Sequence, residues 1–163
     1  VGKPFHKLHD KTWLHDRPVE DVYKLLIDVY RLRLEDDYNL EGKADRGGIY
    51  GGATDGGRNG FRRFLMLVAS RHGLLPTWWT PEKGDECIEL GMTGGGVWSD
   101  LGKKAKKGDI ISHYGDSAMP MQFRLFGEQV YGTGPGGHSG VSVLQMQMAS
   151  EKGEVFTSVI SLV

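Results

Sequence analysis

Residues 12–38, TWLHDRPVEDVYKLLIDVYRLRLEDDY, decide the fold class, because they hold the longest run of helical periodicity in the chain. Val22, Leu25, Leu26, Val29 and Leu32 recur at intervals of three and four and form one apolar stripe. Lys24, Asp28, Arg31 and Glu35 fall to the other side and are assigned to a solvated face. Asp16 is placed to cap the first turn, Pro18 fits a position whose N–H has no partner, and Glu20 and Asp21 complement the positive end of the helix dipole. A helix is expected through about Tyr38.

Outward from it, EGKADRGGIYGGATDGGRNG (41–60) is dense in glycine and lacks periodicity, so a long loop is expected. Helical spacing returns at Phe61–Ser70, with Phe61, Phe64, Leu65 and Val68 as the buried set and Gly73 as the stop. Leu74, Leu75, Pro76, Trp78 and Trp79 then make an apolar connector, and Thr80-Pro81-Glu82 is a cap followed by a first turn, opening a helix to about Gly91. Ser99 reads as a further cap, starting a helix through Leu101, Ala105, Ile110 and Ile111, and Met119–Tyr131 as another. GTGPGGHSG (132–140) is expected to be a flexible break, followed by a possible short helix. The whole is a mostly α, single globular domain of five or six helices over residues 1–150 with long Gly-rich loops. Residues 151–163 form a tail, strand or disordered.

With 163 residues, 39% hydrophobic and 25% charged, the chain has the size and balance of one domain with its own core. Its 25 glycines are about twice the usual share of roughly 7% and are expected in loops. A formal net charge of -1 gives no general attraction to nucleic acid or anionic membrane, so nucleic acid is an unlikely partner. No apolar run reaches the 18 or so residues of a membrane span. The single cysteine, Cys87, excludes an internal disulfide and fits an intracellular location, cytoplasmic or nuclear. Beginning at Val1 rather than Met, the chain reads as part of a longer protein.

The chemical signals are sparse. His6, His9 and His15 with Asp10 and Asp16 are metal-ligand types in one short segment, which supports a metal-dependent enzyme as the alternative function. However, a spacing of six does not bring His9 and His15 to one helical face, and no HExxH is present. The string Gly132, Gly134, Gly137 has GxGxxG spacing but follows a helix rather than a strand, and Pro135 removes a donor, so a nucleotide loop is not inferred. Lys103, Lys104, Lys106 and Lys107 form the densest basic patch; an RNA-associated domain is the third reading, and a solvated helix face the plainer one. No GxSxG occurs, and Cys87 has no neighbouring basic cluster to activate it, so catalysis is not favoured and no cofactor is expected.

Three blocks carry a family resemblance: PFHKLHDKTWLHDRPVEDVYKLLIDVYRLRLEDDY (4–38), GGIYGGATDGGRNGFRRFLMLVASRHGLLPTWW (47–79) and SHYGDSAMPMQFRLFGEQVYGTGPGG (112–137). They resemble the C-terminal region of a group of filamentous-fungal proteins whose N-terminus is an MYND-type zinc finger. The likeness spans about Pro4 to Met148, and the tail beyond departs from it. The finger is absent here, so none of its zinc ligands carries over. The resemblance implies a fungal intracellular protein with an interaction role and supplies no catalytic residue. The expectation is a non-catalytic protein-interaction or scaffolding domain, its partner another protein, with Trp13, Trp78 and Trp79 as the interaction surface.

Overall fold

The long helix anticipated around residues 18–38 is the axle of the molecule rather than one of its outer faces. In a computed structural model that describes residues 2–42, 51–93 and 98–153, it runs Val19–Glu41 (α2). Almost every side chain from Val22 to Asp36 is buried, including Asp28, Arg31 and Glu35 at 0%, 3% and 7% exposure. The solvated face predicted for α2 is therefore wrong for those three, and only Lys24 of that set is half-buried. Neighbouring helices cover α2 on several sides: α3 (Arg58–Ser70), α4 (Pro81–Met92) and α6 (Met119–Tyr131) all pack on it. A helix enclosed in this way has no room for a wet side.

Its start also differs from expectation. Pro18 occupies the cap position with extended backbone, and no side chain caps the first turn. Asp16, in the left-handed region at φ 59°, lies two residues ahead of that cap position. The turn closes through the Val22 N–H donating to the Pro18 carbonyl at 3.1 Å. Gly42, left-handed at φ 66°, ends the helix three residues beyond Tyr38.

The local signals of α3, α4 and α6 hold. Phe61, Phe64, Leu65 and Val68 are the buried side of α3, and Phe61 and Phe64 lie 5.4 and 5.3 Å from the ring of Tyr30 on α2. Thr80 caps α4, its hydroxyl accepting from the Lys83 N–H at 3.2 Å, with Pro81 as the first helical residue. Gly132 terminates α6 at φ 85°.

Ser99 does not open a helix. Its hydroxyl donates to Asp28, the Leu101 N–H donates to the Gly91 carbonyl at 3.0 Å, and the helix begins later, at Lys107–Tyr114 (α5). GTGPGGHSG is likewise a tied segment rather than a flexible break. Arg33 donates to the Thr133 carbonyl at 2.9 Å, a 3-10 turn spans Pro135–Gly137, and the Gly140 N–H donates to Glu128 at 2.7 Å.

Two helices at the chain ends complete the domain: α1 (Pro4–His9), not anticipated, and α7 (Val141–Glu151), which pack on each other. The described residues thus hold seven α-helices, against the five or six expected, in one mostly α domain. The glycines are not confined to loops, since Gly60, Gly84, Gly91, Gly108 and Gly127 lie within helices. Part of the predicted 41–60 loop, residues 43–50, and the predicted strand or disordered tail from residue 154 fall outside the described residues. No helix among the described residues is long and apolar enough to cross a membrane.

Candidate functional site

Because Asp28 faces inward, the chain must neutralise a carboxylate at its centre, and it does so with four donors. Arg31 donates to Oδ1 at 2.9 Å; Trp98 Nε1 at 2.9 Å, the Ser99 hydroxyl at 3.2 Å and the Tyr114 hydroxyl all donate to Oδ2. Arg31 is in turn saturated by the carbonyls of Trp98, Lys103 and Lys104 at 2.9, 3.1 and 3.3 Å, and its guanidinium lies over the Trp98 ring. His113 stacks on the other ring neighbour, 4.4 Å from Trp98 and nearly parallel. Burial pushes the Asp28 carboxyl above the usual carboxylate range, with Tyr114 and Arg31 pulling the other way. Burial, followed by the adjacent Asp28 charge, drives the Tyr114 hydroxyl far above its ordinary value. The four donors enclose the carboxylate, and the cluster ties the 98–106 segment to α2.

The predicted metal ligands do not converge. His6 Nδ1 is 2.6 Å from Glu151, His9 pairs with its neighbour Asp10 at 3.1 Å, His15 Nε2 donates to the Gly73 carbonyl at 2.9 Å, and Asp16 is exposed. Among the described residues no three His, Cys, Asp or Glu side chains stand together to hold an ion. The basic patch Lys103, Lys104, Lys106 and Lys107 is exposed, with Lys103, Lys104 and Lys106 ahead of α5 and Lys107 as its first residue, so the patch does not form one helix face. Cys87 is buried and its thiol is pushed well up by burial, the opposite of an activated nucleophile.

The three tryptophans also part company. Trp13 is 1% exposed, packed 6.0 Å from Phe123 and 5.0 Å from Phe126, with its N–H donating to Gln122 at 3.1 Å. It is core and cannot belong to an interaction surface. Trp78 and Trp79 are half-buried and rest on Tyr23 of α2, at 6.3 and 5.9 Å.

Trp79 does line a surface groove. Between α3 and α4 lies an apolar cleft of about 300 Å³, walled by Met66 and Ala69 from α3, Trp79 at one end, and Gly84 and Ile88 from α4. Met66 is 66% exposed although it is apolar. Gly84 leaves the Trp79 side open: a methyl group there would sit 3.6 Å from the indole. Arg62 stands on the α3 wall and Asp85 on the α4 wall. Beyond the cleft the exposed side chains of α3 include Arg62 and Arg63 and those of α4 include Glu82, Asp85, Glu86 and Glu89, of which Glu89 already accepts from Arg58 of α3 at 2.5 Å. Sequence reasoning found Trp79 but missed Met66, Arg62 and Asp85, whose positions acquire meaning only when α3 and α4 lie side by side.

Compared with known proteins, the chain matches no family model, no curated protein and no solved structure.

Proposed function

We propose that this helical domain is a non-catalytic docking module and that its partner protein lays an amphipathic helix into the groove between α3 and α4. The observation that carries the reading is the groove itself, an apolar floor between a basic wall at Arg62 and an acidic wall at Asp85. A helix with an i, i+3, i+7 apolar stripe, acidic on the edge meeting α3 and basic on the edge meeting α4, complements both features. The resemblance to fungal proteins with an N-terminal MYND-type finger supports the same role, since a contact-making finger and a docking domain would serve one intracellular assembly. The metal-enzyme and RNA readings have no comparable support, because their residues are dispersed or do not form one helix face.

Two variants test the groove. Gly84→Met fills it from the α4 side, and Met66→Glu places a charge on an exposed apolar wall. The domain is used to capture partners from a fungal extract, and each direct partner is then titrated in purified form by calorimetry. Binding should weaken about tenfold or more in both variants, equivalent to ~1.4 kcal/mol, with melting unchanged. A partner that binds wild type and both variants equally would place its contact elsewhere and overturn the reading.

A further inference from the structure

A second cleft, of about 450 Å³, opens where the connector after α1 meets the end of α3, and its lining carries the cations Lys11 and Arg71 beside the imidazole of His72. We propose that it binds a phosphate group, presented as a phosphate monoester. Ser70, Leu74 and Gln129 complete the wall, which contains no carboxylate. Another polar cleft, beside α5, offers a contrast: there Arg17 and Lys24 share the lining with Asp21, so the charge is compensated from within. Among the described residues that line this cleft none is a carboxylate, and two like charges on one wall without a counter-charge favour an anion between them.

The cations are held in place rather than drawn together by chance. Arg71 Nε donates to the Val130 carbonyl at the end of α6, at 2.8 Å, which anchors the guanidinium at the wall, so that a fork contact with phosphate would use its terminal N–H groups. Gln129 is anchored by its Nε2 donating to the Leu8 carbonyl at 2.6 Å. His15, donating to the Gly73 carbonyl, ties the two walls to each other.

Lys11 is the telling residue. The Thr12 N–H donates to the Lys7 carbonyl at 2.8 Å and the Lys11 N–H to the Leu8 carbonyl at 3.1 Å, which is the Schellman closure of α1. Lys11 occupies its left-handed position at φ 63°, where glycine is the unstrained choice. From that position Lys11 lines the cleft. A volume of about 450 Å³ exceeds one phosphate and leaves space for the body of an ester.

The geometry provides its own control, because Lys11→Gly removes the ammonium and relieves the backbone together. The full chain, labelled with 15N, is titrated with inorganic phosphate, and with chloride at equal ionic strength, while the backbone amides of Lys11, Arg71 and His72 are followed. Saturable shifts with phosphate and not with chloride are expected. In Lys11→Gly the affinity should fall about tenfold, as for loss of one charge-assisted hydrogen bond, while the melting temperature stays equal or rises. Repeating the titration with glycerol 3-phosphate and with a phosphoserine peptide identifies the source, the tighter of the two marking a small phosphorylated molecule or a modified protein. Shifts that follow ionic strength alone, absence of saturation in wild type, or unchanged affinity in Lys11→Gly would each overturn the site.

Discussion

Arg31 donates to Asp28 at 2.9 Å from one turn further along α2, and the two side chains, 3% and 0% exposed, form a buried ion pair in the centre of the domain. The pair is more than a neutralised charge. Asp28 collects the side chains of Trp98, Ser99 and Tyr114, while Arg31 collects the carbonyls of Trp98, Lys103 and Lys104. Between them they satisfy polar groups that the 98–106 segment would otherwise have to pair within a helix, which is why that segment can remain irregular and still be packed.

Removing the carboxylate should therefore unfold more than a local turn. Asp28→Ala leaves Arg31 charged and buried without its partner, for which the expected cost is ~3–5 kcal/mol. Asp28→Asn keeps an acceptor and should cost less. Urea denaturation followed by circular dichroism measures both, and a loss below about 1 kcal/mol for the alanine variant would show that water reaches Arg31 and that the pair does not hold the fold.

Tyr114 gives the cluster an alkaline limit. Its hydroxyl donates to Asp28, and burial, then the carboxylate charge, raises its folded-state pKa above the ordinary value of 10.0. The folded chain keeps this proton where the unfolded chain releases it. Stability from Tyr114 is thus complete below pH ~10 and declines above it, by about 1.4 kcal/mol per pH unit. Tyr23, buried and next to Glu86, shifts in the same direction and adds to the decline. Tyr114→Phe should be less stable at neutral pH yet show a shallower alkaline slope in denaturation series from pH 8 to 11, and an unchanged slope would refute the assignment.

What the sequence revealed and what it hid divide along the range of the interaction. Thr80, Pro81 and the Phe61–Val68 spacing act within a turn or two, so α3 and α4 were legible from residues alone. Asp28 was misread because charge was taken to mean solvent, although it lies three residues from Leu25 and four from Leu32, in the same stripe as both. Ser99 was misread because a cap and a tertiary tie use the same hydroxyl, and only the position of Asp28 decides between them. Lys11 and Arg71 come from separate segments, and nothing in either segment points to the other.

Gly91 marks a place where the irregular 98–106 segment approaches α4 too closely for a side chain. A Cβ there would fall 2.8 Å from Leu101 Cγ and 3.4 Å from Ile27 Cδ1. Gly91→Ala should lose about 1–3 kcal/mol from overpacking, offset only in part by the better helix propensity of alanine. Gly108 on α5 has open space around it, and Gly108→Ala should instead gain roughly 0.5–1 kcal/mol. Opposite signs in thermal denaturation of the two variants are the expected result, and equal signs would mean that helix propensity, not the Leu101 contact, dominates.

Glu151 joins α1 to α7, the first and last helices among the described residues. The helix α1 has only six residues, its cap position is Lys3 at φ 53°, and no side chain of its own segment satisfies its first N–H groups. Glu151, from the last turn of α7, does so instead: its carboxylate accepts from the backbone N–H groups of Phe5 and His6, each at 2.9 Å, and contacts His6 Nδ1 at 2.6 Å. A carboxylate at the positive end of a helix also meets its dipole. Glu151→Ala should cost about 1–2 kcal/mol, the value of a cap, and Glu151→Gln less. Because α1 depends on this contact while α2 does not touch it, hydrogen exchange should speed up at Leu8 and His9 and remain slow along the core of α2. Uniform acceleration would instead make Glu151 part of the global fold, and no change at α1 would mean that Phe5 and Leu8, both buried, hold the helix without a cap.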